Sequence, residues 1–450
     1  MENFKKMSIY LVSTLLLILT TTISIAEEQP NNTKTYGASS VNYMGVPLNA
    51  YGAVSSSAEV PLEDQVPPAP KDLVLPEITP VSTLWPPDEL MQPPMLNVKS
   101  YLLLDAKTGN TLAAKELNRR VAPASLTKMM LIYIVEKRLA SGSLKLDQEF
   151  TVPAIAWHTS GSSMHLKSGQ KVTIKELLEG AIVASGNDAS VALAVVIAGT
   201  QEGFVNIMNF TAKKLGMTNT HFSNVMGLPA PNLYTSAHDL GILARHLIYD
   251  YPQYYDLFKI RKVSMNGFIT RNYNKLLDIY PYADGIKTGS TESAGYSLVA
   301  SAVKENQPRL ISVILSSTSL IQSARDSQAL LEYGFTNFQT KTFYSAGHEL
   351  GTMVVYKGEH DQVKIGVSKE ITISFPKDID PKALQFILHK NKDPLVAPIE
   401  AGTTVGQLDM VYKGKVKQSF PVVTLAKNNS GSLWQSIKGT FSLWLHRIFS

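Results

Sequence analysis

Apolar residues recur at helical spacing along Leu126 to Leu139, Ile174 to Val183, Ala189 to Ala198, Gly203 to Leu215 and Ser236 to Tyr249. A recurrence every three to four residues marks a helix that buries one face. Ahead of these stretches, Ser100 to Asp105 and Thr111 to Lys115 flank the turn sequence Ala106-Lys107-Thr108-Gly109-Asn110, which predicts a β-hairpin. Behind them, Gly295 to Val303 and Arg309 to Ser316 are apolar runs of strand length, and Ser323 to Phe335 returns to helical period. Strands, then helices, then strands again predict a helical cluster inserted in a mixed α/β domain, here residues 96–345.

The texture changes near Ala346. Thr352 to Tyr356, Val363 to Val367 and Ile371 to Phe375 are short runs separated by Gly, Asp and Pro, predicting a small all-β domain over residues 346–427. The last segment, 431–450, has helical period again. Leu433, Trp434, Ile437, Phe441, Trp444, Leu445, Ile448 and Phe449 share one broad face, and Gln435, Ser436, Lys438, Ser442, His446 and Arg447 share the other. It is too short and too polar to span a bilayer, and its composition predicts a helix lying in a membrane surface. The competing expectation is a core helix packed on the β domain. Residues 27–95 show no sustained period and are crowded with proline in Pro67-Pro68-Ala69-Pro70 and Trp85-Pro86-Pro87, which predicts a disordered, polyproline-type linker. Residues 1–26 read as a signal peptide: Lys5 and Lys6, an apolar run from Ile9 to Leu19, then Ser24-Ile25-Ala26 before the cleavage point.

Composition narrows the function classes. The 450 residues are 44% hydrophobic and 18% charged, as in globular proteins, with room for two or three domains. The net charge of +5 comes without a basic cluster, which argues against nucleic acid and leaves cell-wall polymers or phospholipid surfaces as anionic partners. The absence of cysteine excludes disulfides, zinc–thiolate sites and thiol nucleophiles.

Three short motifs carry candidate chemistry. In Ser125-Leu126-Thr127-Lys128 a hydroxyl and an amine stand three residues apart, on one face of a helix. Serine needs a base to act as a nucleophile. Lysine can be that base if burial and a neighbouring cation such as Lys287 lower its pKa. A position near a helix N-terminus also favours a developing oxyanion. Ser185-Gly186-Asn187 falls between two helices, where Ser185 can relay a proton and Asn187 can hold a substrate amide. The same residues also read as an ordinary glycine turn with Asn187 or Asp188 capping the next helix. Lys287-Thr288-Gly289, followed by Ser290, suits an edge strand that pairs with an extended peptide. There Lys287 and Thr288 would meet a carboxylate, and Gly289 would let the substrate come close. As a β-turn it would merely expose a lysine.

Taken in this order, the motifs resemble those of the D-alanyl-D-alanine carboxypeptidases, the low-molecular-mass penicillin-binding proteins of the serine β-lactamase/transpeptidase-like superfamily. Gly161-Ser162-Ser163-Met164, Asn219-Thr220-His221-Phe222, Asn272-Tyr273-Asn274-Lys275-Leu276-Leu277 and Ala294-Gly295-Tyr296-Ser297-Leu298-Val299-Ala300 extend the resemblance over residues 96–450. It implies a mixed α/β catalytic domain with an antiparallel sheet and helical cluster, a small β-rich domain and an amphipathic tail on the outer face of the inner membrane, in the periplasm. It implies Ser125 as acylated nucleophile, Lys128 as base, Ser185 as third catalytic residue, and Asn187, Lys287, Thr288, Gly289 and Ser290 in substrate binding. The backbone N–H groups of Ser125 and Ser290 would form the oxyanion hole. Peptidoglycan stem peptides would be substrates and β-lactams inhibitors, with neither metal nor cofactor required. Cleavage of peptide crosslinks and β-lactam hydrolysis use the same residues, and a non-enzymatic wall-binding protein is the remaining alternative. Two departures stand out. Met226-Gly227-Leu228 replaces the His-Gly-Leu of many relatives, and Ser316-Ser317-Thr318-Ser319 lacks an arginine that some carry after the preceding strand.

Overall fold

In the computed structural model, which describes residues 75–80, 84–85 and 90–449, the predicted hairpin forms the heart of a six-stranded sheet. Thr79–Pro80 (β1) runs parallel to Asn110–Lys115 (β3), which pairs antiparallel with Ser100–Asp105 (β2). Strand β2 is buried at every residue because both faces of the sheet are covered. Leu102 and Leu104 face the helical cluster, while Tyr101 and Leu103 face the opposite layer. That two-sided burial is why the strand reads as an unbroken apolar run rather than an alternation.

The insertion follows β3. It comprises helices Thr127–Ala140 (α1), Ala154–Trp157 (α2), Ile174–Val183 (α3), Asn187–Ala198 (α4), Gln201–Lys214 (α5), Ala237–Tyr249 (α6) and Leu276–Ile279 (α7). Two small hairpins accompany them, Glu149–Thr151 (β4) with Lys171–Thr173 (β5) and Lys262–Met265 (β6) with Phe268–Arg271 (β7). The chain then returns to the sheet through Ala283–Thr291 (β8), Gly295–Ala302 (β9) and Leu310–Ser317 (β10). The strand order is β1-β3-β2-β10-β9-β8, so β8 is outermost. Helix Leu320–Asn337 (α8) covers the face opposite the cluster.

Polar caps, not apolar periodicity, fix where the helices begin. Thr200 accepts a hydrogen bond from the Gly203 N–H, and Ser319 accepts one from the Gln322 N–H, so α5 and α8 start ahead of their apolar faces. Thr173 and Glu176 cap α3 reciprocally, an arrangement that contributes about 1 kcal/mol.

The β-rich part consists of Phe338–Tyr344 (β11), Glu349–Tyr356 (β12), Gln362–Gly366 (β13), Ile371–Pro376 (β14), Gln385–Lys390 (β15), Leu395–Val396 (β16), Thr404–Tyr412 (β17) and Lys415–Thr424 (β18). One sheet has the order β15-β17-β18-β13-β12-β16, and β11 pairs with β14. Asp105, fully buried at the end of β2, joins the two parts. One carboxylate oxygen accepts from the Lys107 and Thr108 N–H groups at 2.8 and 2.9 Å. The other accepts from the Thr340 and Ser374 hydroxyls at 2.5 and 3.0 Å.

The predicted signal peptide and the linker as far as residue 74 lie outside the described residues. The end of that linker departs from the disordered expectation. Arg245, buried on α6, donates through Nε to the Ala106 carbonyl at 2.8 Å and through Nη1 to the Pro76 carbonyl, holding the chain that leads into β1. Trp85 is wholly buried in the β-rich core, 5.5 Å edge-on from Tyr412 and 6.5 Å from Phe375, with its indole N–H donating to the Ser374 carbonyl. Burial of an aromatic side chain of this size holds this part of the linker to the fold.

Helix Leu433–Phe449 (α9) ends the fold. Gly439 and the buried Leu443 lie on its inner side, where a Cβ on Gly439 would meet the Lys357 backbone. Leu433, Trp434, Ile437, Phe441 and Trp444 are exposed, with Trp434 at 80%. A core helix would have buried them. Among the described residues no single helix is long and apolar enough to cross a membrane.

Replacing Trp85 with alanine should lower the unfolding free energy by about 3–5 kcal/mol, the usual cost of emptying a buried aromatic site. Urea denaturation followed by circular dichroism measures this, and an unchanged midpoint would mean that the residue is not packed in the core.

Candidate active site

The turn before α1 is where the site begins. Residues Ala124–Leu126 form a 3-10 turn that runs directly into α1. With three residues per turn, side chains at i and i+3 lie one above the other. Lys128 Nζ accordingly sits 2.9 Å from Ser125 Oγ. Ala124, immediately before the serine, has φ +48°, a left-handed conformation that costs a non-glycine residue energy and recurs at functional sites.

Lys128 is completely buried in the helical cluster. Its amine also contacts Asn187 Oδ1 at 2.8 Å and the Met226 carbonyl at 3.0 Å. Desolvation drives its pKa well below the ordinary lysine value, the neighbouring Lys287 lowers it further, and Asp188 opposes both. A neutral amine has two N–H groups and one lone pair. Asn187 Oδ1 and the Met226 carbonyl can only accept, so they take the two N–H groups and leave the lone pair for the Ser125 hydroxyl proton. The orientation of Asn187 is itself fixed, because its Nδ2 donates to the Ser160 carbonyl at 2.6 Å.

A second lysine–serine pair stands beside the first. Lys287 Nζ donates to Ser185 Oγ at 2.9 Å and to the Thr288 carbonyl at 3.0 Å. Both side chains are buried, and burial lowers the Lys287 pKa to about 7. Ser185 has φ +51°, again left-handed, at the junction of α3 and α4. Lys287 and Thr288 are buried residues within β8, so the exposed-turn alternative does not hold. Ser290 is exposed further along the same strand, opposite Tyr296 on β9.

Gly289 has a different neighbour from the one expected. A Cβ there would lie 2.9 Å from both the Leu126 nitrogen and the Pro123 oxygen. The glycine therefore lets β8 press on the turn that carries Ser125. Gly227, at φ +84°, does the same from another side, since a Cβ would overlap the Ala124 carbonyl oxygen.

The structure thus brings Ser125, Lys128 and Asn187 into one hydrogen-bonded group and Ser185, Lys287 and Thr288 into another. The N-cap of α4 is Gly186, without a side-chain bond, rather than Asn187 or Asp188. Asp188 Oδ1 does accept from the Ala189 N–H in the first turn at 2.9 Å. The Asp188 carboxylate also accepts from the Met164 and Leu166 N–H groups at 3.0 and 3.1 Å and from Ser163 Oγ at 2.6 Å, holding the 163–166 loop against the site. Sequence reasoning missed this role and that of the Met226 carbonyl. The first had a signal, an acid directly after Ser185-Gly186-Asn187. The second is a backbone atom and has none.

The chain is similar to known proteins over both parts of the fold. Residues 88–319 match the D-alanyl-D-alanine carboxypeptidase family, and residues 338–429 match the penicillin-binding protein 5 C-terminal domain. D-alanyl-D-alanine carboxypeptidase DacD of Salmonella typhimurium is 35% identical over 358 residues, which span 78% of this chain and 91% of the relative. DacA of Escherichia coli is 36% identical over 363 residues, spanning 79% and 90%. The crystal structure of penicillin binding protein 5 from Haemophilus influenzae superposes with a TM-score of 0.73 at 34% identity, covering 76% of this chain and all of that one. Penicillin-binding protein D2 from Listeria monocytogenes in its cefotaxime-bound form gives 0.50 at 25% identity over 54% of this chain and all of that one. These matches extend across both parts of the fold and include the segment that carries the two lysine–serine pairs, and the chain belongs to the D-alanyl-D-alanine carboxypeptidase family.

Proposed function

We propose that the protein is a serine-type D-Ala-D-Ala carboxypeptidase that removes the terminal D-alanine from peptidoglycan stem pentapeptides. The observation that carries this reading is the Lys128 amine, buried and held by two carbonyl acceptors with its third site on Ser125 Oγ. Ser125 Oγ attacks the carbonyl carbon of the penultimate D-Ala while its proton passes to Lys128 Nζ. The backbone N–H groups of Ser125 and Ser290 receive the oxyanion. The C–N bond then breaks, the proton held by Lys128 passes through Ser185 to the leaving amine, which restores the neutral Lys128 amine, and D-alanine departs. Water deprotonated by Lys128 hydrolyses the ester and frees Ser125. Lys287 and Thr288, at the outer strand, hold the substrate's terminal carboxylate, and Asn187 its amide. A β-lactam offers a strained amide to the same serine, and its leaving nitrogen stays tethered in the cleft.

The tail supports a place on a lipid surface. The exposed apolar residues of α9, with Lys438 on the same helix, suit the interface of an anionic membrane. Together with the predicted export signal, this supports a periplasmic location peripheral to the inner membrane.

Three outcomes follow. D-alanine release from a stem-type pentapeptide by residues 27–430 should fall at least about 1000-fold in Ser125→Ala. Release that persists would remove Ser125 from its role, and penicillin acylation without release in the unaltered protein would point to crosslink cleavage. The value of kcat/KM reports the free enzyme. It should decline as pH rises past about 7, because Lys287 loses its proton there and with it the cation that meets the carboxylate. Lys287→Arg keeps its charge and should abolish that decline. A limb that persists in Lys287→Arg assigns it to another group. Finally, the full chain should sediment with anionic phospholipid vesicles while residues 27–430 stay in the supernatant. Equal behaviour of the two would exclude α9 as the anchor.

A further inference from the structure

The acceptor that Lys128 finds in the Met226 carbonyl is held in place by a side chain outside the three motifs. Asn224 Oδ1 accepts from three successive backbone N–H groups, those of Met226 at 3.1 Å, Gly227 at 2.7 Å and Leu228 at 3.2 Å. Its Nδ2 donates to the Leu228 carbonyl at 2.9 Å, closing the loop on itself. The shortest of these bonds matters most. The Gly227 N–H and the Met226 C=O belong to the same planar peptide unit, and in a trans peptide they point in opposite directions. Turning that N–H toward Asn224 therefore turns the carbonyl away from it, and there it meets Lys128 Nζ at 3.0 Å. On its other side the loop rests on the nucleophile's turn, through the contact of Gly227 with the Ala124 carbonyl.

We infer that Asn224 is a positioning residue for the acylation step: by fixing the Met226–Gly227 peptide plane it decides which site of the Lys128 amine faces Ser125. This rests on the proposed role of Lys128 as the base. Without the fixed carbonyl, one N–H of the neutral amine has no partner and competes for Ser125 Oγ, so the lone pair is misdirected for part of the time. The carbonyl also favours the ammonium form, which donates to it more strongly. Its loss lowers the Lys128 pKa still further.

The test is the pH dependence of Ser125 acylation by benzylpenicillin in the full-length protein, expressed per active site from the stoichiometry of the covalent adduct. In Asn224→Ala the plateau rate should fall about 10- to 100-fold, the range expected for misaligned reacting groups, and the acid limb should move to lower pH. Asn224→Asp keeps the oxygen that accepts the three N–H groups and adds a negative charge. It should hold the plateau nearer to wild type and move the acid limb the opposite way, to higher pH. A purely structural residue would reduce the active fraction and the melting temperature but leave the per-site rate and limb of the surviving enzyme unchanged, and that result would overturn the inference. If Asn224→Ala does not fold, an Asn224→Asp profile superimposable on wild type overturns it instead. Failure of the unaltered protein to acylate at Ser125 would overturn the proposed function and this role with it, an outcome distinguishable from a failure seen only in the variants.

Discussion

Removal of one lysine amine from water is the constraint around which the catalytic domain is organised. Lys128 is fully buried, and a buried ammonium is costly unless it is paired or gives up its proton. No carboxylate hydrogen-bonds to this amine. Its partners are a hydroxyl and two carbonyl oxygens, and Asp188 acts on it only through space. The helical cluster supplies the dry surroundings: Met129 to Val135 on α1, and the facing residues of α3, α4 and α6, pack without exposed positions around it. What would be a liability in a core of this kind becomes an amine that gives up its proton well below the ordinary lysine range.

Keeping the amine dry is useful only if the serine remains in reach, and this explains the crowding around the turn at Ser125. The turn is confined by α1 behind it, β8 against Pro123 and Leu126, and the loop at Gly227 against Ala124. The left-handed Ala124 persists because the loop at Gly227 leaves its carbonyl no room to move. The sheet gives this arrangement its rigidity. β8 is paired along its length with β9, and β9 with β10, so Lys287 is held by the same strand that confines the nucleophile.

Much of this was legible in the sequence, for physical reasons that differ from case to case. The strands β2, β9 and β10 and the inserted helices carry long apolar runs or strong periods, and their positions follow. Ser125 and Lys128 were legible because their relation is local: three residues of tight turn determine it. The partnership of Lys287 with Ser185 was not foreseen: the sequence reading set Lys287 beside Lys128 as a neighbouring cation, and Lys287 and Ser185 are 102 positions apart and meet by tertiary packing. Trp85 was hidden by its prolines. Its burial depends on a strand 289 residues downstream, which no local pattern announces. Capping by Asn187 or Asp188 was one of the readings open there, and what no local pattern announced is the set of tertiary contacts that tie Asp188 to the 163–166 loop. The exposed face of α9 was visible from its spacing through Trp444.

The two glycines that touch the nucleophile's turn carry a consequence for heredity. Gly227 and Gly289 contribute no functional group, yet every side chain larger than hydrogen collides with backbone atoms of the Pro123–Leu126 turn. Any codon change that replaces either residue pushes a carbon atom into the turn that carries Ser125. Sequence drift around this turn is therefore confined to positions where a side chain can change without displacing it.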